Sequence, residues 1–187
     1  MVVFALPRLL IPVESTPGET RVAATPDTVK KFISLGCSVV VERGAGTPSG
    51  HLDEAYAEQG AELIELGDTS AWNQADVLLC VQAPSAATLS RLRQGALVVG
   101  LLSPYANEEL TAALKRSGLS AMALELLPRI SRAQSADALS SQANIAGYKS
   151  VLLASAALDR YFPMLMTAAG TVQPAKVVIL GADVAGL

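Results

Sequence analysis

Short apolar runs alternate with amphipathic segments along most of the chain. The runs at 38–41, 77–81 and 96–102 are continuous rather than alternating, a pattern typical of strands that are buried on both faces. Segments 25–36 and 107–118 carry apolar residues at helical spacing. This succession predicts an α/β fold whose first domain is Rossmann-like, with a parallel sheet covered by helices. The predicted strands are 2–7, 37–42, 61–64, 76–82, 96–102 and 119–126, and the predicted helices are 25–36, 53–59, 86–95 and 107–118.

The helix at 25–36 carries the clearest boundary signals. Thr25 can accept a hydrogen bond from the first turn, and Pro26 suits a position whose N–H has no helical partner. Gly36 follows the last apolar residue and can take the positive φ that ends many helices. The sequence therefore predicts both ends of this helix as well as its existence.

The pattern changes after residue 126, where a polar stretch precedes one long helix predicted at about 137–161. Two extended pieces follow, with Gly170 and Pro174 marking a turn between them. The second piece contains a predicted strand at 177–180. We predict three segments: an N-terminal α/β domain over 1–136, a linking helix over 137–160, and a hairpin arm with the first strand and turn of an incomplete second Rossmann domain over 161–187.

The last residues partly match a dinucleotide-binding fingerprint. Gly181, Asp183 and Gly186 have the spacing of G-x-G-x-x-G, whose glycines form a tight strand-to-helix turn and let the backbone approach a pyrophosphate. Asp183 replaces the middle glycine and puts a negative side chain where an anion is expected to bind. The segment is therefore either the opening of a nucleotide-binding unit or a plain strand and turn.

Composition argues against several classes of function. Apolar residues make up 51% of the chain and charged residues 17%, which predicts a folded protein rather than a disordered one. The net charge is −3 and basic residues form no cluster, so we expect no nucleic acid partner. No apolar run is long enough to span a bilayer, and the N-terminus lacks the pattern of a signal peptide.

The cysteines and the histidine suggest no chemistry of their own. Cys37 and Cys80 lie in apolar, strand-like runs, as expected of reduced thiols in a cytoplasmic protein. His51 is the sole histidine in the sequence, and no neighbouring His or Cys has the spacing of a metal site. We therefore expect no metal.

Four stretches carry a resemblance to a known family: ETRVAATP at 19–26, VERGAG at 41–46, PRISRAQSADALSSQANIAGY at 128–148 and GTVQPAKVVILGADVAGL at 170–187. Together they resemble the alpha subunit of proton-translocating NAD(P) transhydrogenase, a relative of alanine dehydrogenase. The resemblance implies the NAD(H)-binding part of an enzyme that exchanges hydride with NADP(H) held on a partner domain. It also implies a homodimer, NADP(H)-binding and membrane-spanning partner subunits, and a cytoplasmic location peripheral to the inner membrane.

The same resemblance implies the residues of the cofactor site. They are Arg129, Gln134, Asp137 and Ser140 in a cofactor-facing loop, and Gly181, Asp183 and Gly186 in the turn of the NAD-binding domain. An arginine can pair with a phosphate, and glutamine and serine can hold a carboxamide or a ribose without titrating. No catalytic acid or base is implied, because hydride passes between nicotinamide rings. Two plainer roles stay open, Asp137 as a helix cap and Arg129 as a surface ion pair.

Two other functions also stay open. An alanine dehydrogenase-like enzyme is less favoured, because the positions aligned with its substrate-handling lysine and histidine are Cys80 and Ser103, which supply neither a cation nor an imidazole. A truncated, non-catalytic chain or scaffold is favoured by Asp183 and by the incomplete second domain. We expect the 187 residues alone to be inactive, to bind NADH poorly and to aggregate through an unpaired strand at 176–180.

Overall fold

The structure is a computed structural model that describes residues 6–128 and 130–186. The chain divides into two compact units, one ending at Leu126 and the other beginning at Leu127. The first unit contains the parallel sheet, and the second contains the long helix and a hairpin. The three segments proposed from the sequence, with boundaries at 136 and 160, stay predictions.

Among its described residues, the first unit contains six strands: β1 Arg8–Ile11, β2 Ser38–Glu42, β3 Glu62–Ile64, β4 Val77–Gln82, β5 Leu97–Leu101 and β6 Ser120–Ala123. They form one parallel sheet in the order β3-β2-β1-β4-β5-β6. The chain builds outward from β1 through β2 and β3, and then adds β4, β5 and β6 on the other side of β1. This is the Rossmann-like order, so the predicted fold class is confirmed.

The first strand begins later than predicted. Of the predicted segment 2–7, only residues 6 and 7 are described, and neither belongs to a strand. Strand β1 starts at Arg8, which is paired in register with Ser38 of β2. Because Pro7 has no N–H to donate to a neighbouring strand, the backbone pairing of β1 begins after it.

In the part of this unit that the structure describes, five α-helices cover the sheet: α1 Pro26–Ser34, α2 Asp53–Glu58, α3 Thr69–Gln74, α4 Ala86–Leu89 and α5 Glu108–Arg116. Helices α1 and α2 pack on one face of the sheet, in a cluster that includes Leu9 and Ile11. Helices α3, α4 and α5 pack on the other face, in a cluster that includes Leu10 and Leu78. Both faces are therefore covered, as the continuous apolar runs predict.

Helix α1 begins and ends where the sequence predicts. The hydroxyl of Thr25 accepts a hydrogen bond from the N–H of Thr28 at 3.4 Å, and Pro26 is the first helical residue. Gly36 follows the helix with a φ of +90°. Val29 is fully buried in the cluster that α1 shares with β1 and β2. Local capping signals and one buried position are thus enough to define this element.

Three further elements differ from the prediction. Strand β6 ends at Ala123, and the rest of the segment predicted as this strand, Leu124–Leu126, forms a 3₁₀ helix. Helix α3 is absent from the predicted set, although its first turn is capped by the carboxylate of Asp68 through the N–H groups of Ser70 and Ala71 at 2.9 and 3.2 Å. Its six residues are too few to display a helical period. The helix predicted at 86–95 is α-helical only to Leu89. Beyond it the hydroxyl of Ser90 donates to the backbone, a local bond that competes with helix continuation.

The second unit contains the predicted long helix, α6 Ala138–Ala157. A hairpin follows, made of the antiparallel strands β7 Leu165–Thr167 and β8 Gly170–Val172. Gly170 ends the hairpin turn with a φ of +129°, a conformation that favours glycine. The turn therefore lies before Gly170, and Pro174 comes after the hairpin rather than within its turn.

The segment 177–180, predicted as a strand, does not form one here. A strand requires a neighbour with which to exchange backbone hydrogen bonds, and no strand among the described residues is paired with it. Its side chains are exposed, Val178 by 82% and Leu180 by 94%. An apolar sequence alone therefore does not fix strand structure without a partner for the backbone.

Apolar side chains are spread around helix α6 rather than gathered on one face, and polar residues lie between them. Ile145, Val151, Leu152 and Leu153 are all exposed on it. Within the described residues, no helix is long and apolar enough to cross a membrane.

Candidate functional site

The loop predicted to face a cofactor lies at the start of the second unit. Residues Ser131–Ala136 form a 3₁₀ helix between Pro128 and α6. Its backbone is stabilised by a hydrogen bond that the N–H of Ala133 donates to the carbonyl of Ile130 at 2.9 Å. The loop encloses a cavity of about 360 Å³, lined by Leu127, Pro128, Ile130, Ala133, Gln134, Asp137 and Ser140.

Asp137 caps helix α6 and orients a second candidate residue. Its carboxylate accepts hydrogen bonds from the N–H and the hydroxyl of Ser140 at 2.9 and 2.5 Å. The cap role that the sequence left open is therefore present. Because the Ser140 hydroxyl donates to Asp137, its oxygen lone pairs stay available to accept a hydrogen bond from a ligand.

Gln134 supplies the free polar group of the cavity. Its side chain is exposed, and among the described residues it makes no side-chain hydrogen bond. The amide can therefore donate and accept hydrogen bonds at the same time. The structure thus places Gln134, Asp137 and Ser140 around one cavity, and Arg129 lies outside the described residues.

The glycine turn near the end of the chain forms a second, separate feature of this unit. Gly181 has a φ of +106°, and a Cβ on Gly186 would lie 2.3 Å from the carbonyl oxygen of Gly181. The carboxylate of Asp183 accepts a hydrogen bond from Ala185 N–H at 3.2 Å, and its carbonyl accepts one from Gly186 N–H at 3.0 Å. Both glycines are thus required by the turn itself, and Asp183 bonds within it.

Gly147, which is not among the residues predicted from the sequence, lets the glycine turn approach helix α6. A Cβ on Gly147 would lie 2.4 Å from the carbonyl oxygen of Ala185. A glycine inside a helix costs about 1 kcal/mol relative to alanine, so its presence signals a packing reason. Helix and turn enclose a mostly apolar groove of about 680 Å³, which shares no lining residue with the loop cavity.

The first unit carries a polar network at the carboxyl ends of β1 and β4. The carboxylate of Glu19 accepts hydrogen bonds from Arg21 at 2.6 and 2.8 Å, and from the amide of Gln82 at 2.8 Å. The hydrogen bonds from Arg21 are the main cause of a lowered pKa, about 2 against a usual 4.5 for this glutamate. The network therefore keeps Glu19 ionised and Arg21 paired.

The lowered pKa of Glu19 predicts an acid-sensitive contribution to stability. Because the pKa falls on folding, the contribution is complete above pH 4.5 and is lost as the pH falls toward 2. We expect the wild type to lose its stability advantage over Glu19→Gln across this interval. Urea midpoints at pH 6, 4 and 3 measure this difference, with exposed Glu58→Gln as control. A difference between wild type and Glu19→Gln that does not change with pH would contradict the assignment.

The two positions that bear on an amino-acid dehydrogenase are not suited to that chemistry. Cys80 is buried, and burial raises the pKa of its thiol to about 12, so it carries no charge near neutral pH. Ser103 has a φ of +47°, and its N–H donates to the carboxylate of Glu125. Neither position places a cation or a titrating imidazole at the carboxyl edge of the sheet. Among the described residues, no group of three His, Cys, Asp or Glu side chains is arranged to hold a metal ion.

Comparisons with known proteins agree with the α/β fold and with the family resemblance found in the sequence. The family model for the N-terminal domain of alanine dehydrogenase/PNT matches residues 10–146, and the model for the C-terminal domain matches 150–187. The chain is 44% identical over 185 residues to an NAD(P) transhydrogenase alpha subunit of Rhodospirillum rubrum, covering 96% of this chain and 48% of that protein. It is 34% identical over 186 residues to alanine dehydrogenase of Mycobacterium tuberculosis, covering 96% and 48%.

A solved structure supports the same relationship. The transhydrogenase from Sinorhizobium meliloti superposes with a TM-score of 0.89 at 49% identity, covering 96% of this chain and 53% of that one. The chain spans about half the length of the curated relatives it matches. The chain belongs to the alanine dehydrogenase/PNT family, and it resembles transhydrogenase alpha subunits more than alanine dehydrogenases.

Proposed function

We propose that this chain is the NAD(H)-binding part of a proton-translocating NAD(P) transhydrogenase, which exchanges hydride with NADP(H) on a partner domain. The observation that carries the proposal is the cavity lined by Gln134, Asp137 and Ser140. Its polar groups suit a nicotinamide carboxamide and a ribose, because an amide and a hydroxyl bind both without changing charge. The relatives' names support transhydrogenase over alanine dehydrogenase.

The residues of the loop position a cofactor rather than take part in proton transfer. Bound nicotinamide supplies the hydride chemistry, so the protein contributes orientation and electrostatics. Asp137 fixes the rotamer of Ser140 and ties it to the first turn of α6. A site held this way keeps its geometry before the ligand arrives, which lowers the entropic cost of binding. Arg129 completes the proposed set as the partner of a phosphate or carboxamide.

The glycine turn is the proposed pyrophosphate end of the site. Gly181 and Gly186 give the close backbone approach that a dinucleotide needs, whereas Asp183 places a carboxylate in the same turn. Because the chain spans about half the length of its relatives, we expect residues 1–187 alone to be inactive and to bind NADH poorly. Asp183 is also the observation that favours the second candidate function, a non-catalytic chain or scaffold.

The hairpin is the proposed contact between two copies of the chain. Its strands carry exposed apolar side chains, with Met166 exposed by 74% and Leu165 and Val172 by 36% and 38%. The hairpin itself pairs only β7 with β8, and a two-stranded hairpin is marginal in water without further packing. We propose a homodimer joined through this arm, attached to the inner membrane only through partner subunits.

A chimera tests the proposed function directly. In it, residues 1–187 of this chain replace the matching residues of the Rhodospirillum rubrum subunit. We expect the purified chimera to bind NADH and, with its partner subunits, to transfer hydride to an NADP⁺ analogue. A folded chimera that lacks NADH binding even when Asp183 is changed to glycine would favour the scaffold function. Oxidation of alanine with NAD⁺ would favour the alanine dehydrogenase-like function.

In this chimera, we expect Gln134→Ala to weaken NADH binding about tenfold. The side chain is exposed and lines the cavity, so its removal takes ligand hydrogen bonds without disturbing the fold. Fluorescence titration with NADH measures the change, and thermal unfolding checks that stability is retained. The matched control is Gln173→Ala, also exposed in the second unit but outside the cavity. Equal NADH affinity in Gln134→Ala and Gln173→Ala would show that Gln134 is not part of the binding site.

A further inference from the structure

The first unit has a crevice at the place where the strand order reverses. The chain leaves β1 in one direction to form β2 and β3, and in the other direction to form β4, β5 and β6. In open parallel sheets, ligands bind outside the carboxyl ends of the strands at such a switch point. A cavity of about 430 Å³ lies there, lined by residues that follow β1, such as Glu14 and Ser15, and by residues at the end of β4, such as Cys80 and Gln82.

The carboxylate of Glu14 accepts hydrogen bonds from two backbone N–H groups at this crevice. One oxygen accepts a hydrogen bond from Val81 N–H at 2.5 Å, and the other accepts one from Gln82 N–H at 3.1 Å. Two consecutive N–H groups that point to one spot form a small anion-binding arrangement, of the kind that holds phosphates in nucleotide-binding folds. In this chain that arrangement is already filled by a side chain. The pKa of Glu14 is raised mainly by burial, with these two hydrogen bonds acting in the opposite direction.

Two arginines supply positive charge in or near the crevice. Arg91 lines the cavity and stacks over the ring of Trp72 at 5.7 Å, and Arg21 attracts the carboxylate of Glu14. Two carboxylates oppose these cations, Glu19 and Glu42. Both already have hydrogen-bond partners within the protein. Glu19 is paired with Arg21 and Gln82, and Glu42 accepts three hydrogen bonds from N–H groups.

We infer that Glu14 occupies the anion position at the switch point of the first unit and thereby excludes the phosphate groups of dinucleotides from this unit. The inference goes beyond the proposed function, because it concerns a site in the first unit. It stands whether or not the loop of the second unit binds NAD(H). Glu14 acts as a specificity-determining residue, since the fold around it retains the topology, the cavity and the backbone donors of a phosphate site.

Inorganic pyrophosphate is the probe for this inference. We expect it to raise the unfolding temperature of Glu14→Ala with the logarithm of its concentration above the dissociation constant, by about 4 °C at ten times that constant. The wild type should not respond beyond the small general effect of phosphate salts. Glu14→Gln should not respond either, because its side chain still fills the position. Thermal unfolding followed by circular dichroism measures all three proteins over the same range of pyrophosphate concentrations.

A matched control comes from the neighbouring strand. The carboxylate of Glu125 also accepts hydrogen bonds from two consecutive N–H groups, those of Leu102 and Ser103, but Glu125 does not line the cavity. Glu125→Ala should lose stability without responding to pyrophosphate. An equal response in Glu125→Ala, or in the wild type, would overturn the inference.

A second variant tests the inference if Glu14→Ala folds poorly. Glu14→Ser keeps a small polar side chain and should respond to pyrophosphate in the same way. A folded Glu14→Ala or Glu14→Ser protein that does not respond would overturn the inference. Failure of both variants to fold even with saturating pyrophosphate would also overturn it, because the anion is required to replace the missing carboxylate.

Discussion

Replacing Glu42 with alanine is expected to lower the free energy of unfolding of the first unit by about 3–5 kcal/mol. Glu42 is only 2% exposed, and it accepts hydrogen bonds from the indole N–H of Trp72 at 2.8 Å and from the N–H groups of Gly67 and Val13 at 2.9 Å. Alanine would leave all three donors without this acceptor, and the indole N–H of Trp72 lies in the buried interior. The donors lie in helix α3 and in the segments that follow β3 and β1, so one carboxylate joins three parts of the fold.

Urea denaturation followed by far-ultraviolet circular dichroism measures the effect of Glu42→Ala. Glu42→Gln should cost less, about 2 kcal/mol, because one oxygen still accepts a hydrogen bond while the amide faces a donor. Glu65→Ala is the control. Its side chain is 84% exposed and pairs with Arg43 at 3.0 Å, so we expect a change within about 0.5 kcal/mol. Similar costs for Glu42→Ala and Glu65→Ala would show that the buried hydrogen bonds are not stabilising.

Three glutamates share a role that the sequence does not reveal. Glu42, Glu14 and Glu125 each accept hydrogen bonds from backbone N–H groups at or just beyond the carboxyl end of another strand of the sheet. Each contact joins residues that are far apart in the chain, so no local pattern of residue types identifies it. At the edge where Rossmann-like folds bind ligands, this protein uses its own carboxylates to satisfy the backbone. These carboxylates occupy backbone donors at that edge, while the proposed cofactor site lies in the second unit.

The sequence predicts well the elements whose signals are local. Helix α1 has a capping Thr25, a following Pro26 and a terminal Gly36, and β2 to β5 are apolar runs between turn residues. The short helix α3 has only the capping residue Asp68 as a local signal. The hydrogen bond from Trp72 to Glu42 also holds it in place, and that contact is not visible in the sequence. The segment 177–180 shows the opposite case, since its apolar residues predict a strand, but among the described residues no strand pairs with it.

The candidate site is predicted by resemblance more than by pattern. Gln134 and Ser140 are ordinary surface types by composition, and the family resemblance alone selects them. The geometry then explains Ser140, because Asp137 holds its hydroxyl at the edge of the cavity. Gly147 has a physical signal of its own, a glycine in the interior of a helix, and the close approach of Ala185 gives the reason.

Replacing Asp183 with glycine in the chimera is expected to tighten NADH binding about tenfold, on the order of 1.4 kcal/mol. The carboxylate lies in the turn between Gly181 and Gly186, where the proposed function places a pyrophosphate. Removing it eliminates a like charge and the bulk of a side chain at a point of close backbone approach. The turn itself should persist, since the hydrogen bond from Gly186 N–H goes to the backbone carbonyl of residue 183.

Two further substitutions separate charge from bulk. Asp183→Asn keeps the size and the acceptor for Ala185 N–H but removes the charge, so an affinity close to that of Asp183→Gly would assign the penalty to electrostatics. In that case the gain should shrink as salt screens the repulsion. Asp159→Asn, another exposed acid of the second unit, should leave NADH affinity unchanged. If Asp183→Gly binds NADH no better than the unchanged chimera, Asp183 does not face the pyrophosphate and the turn is not its binding site.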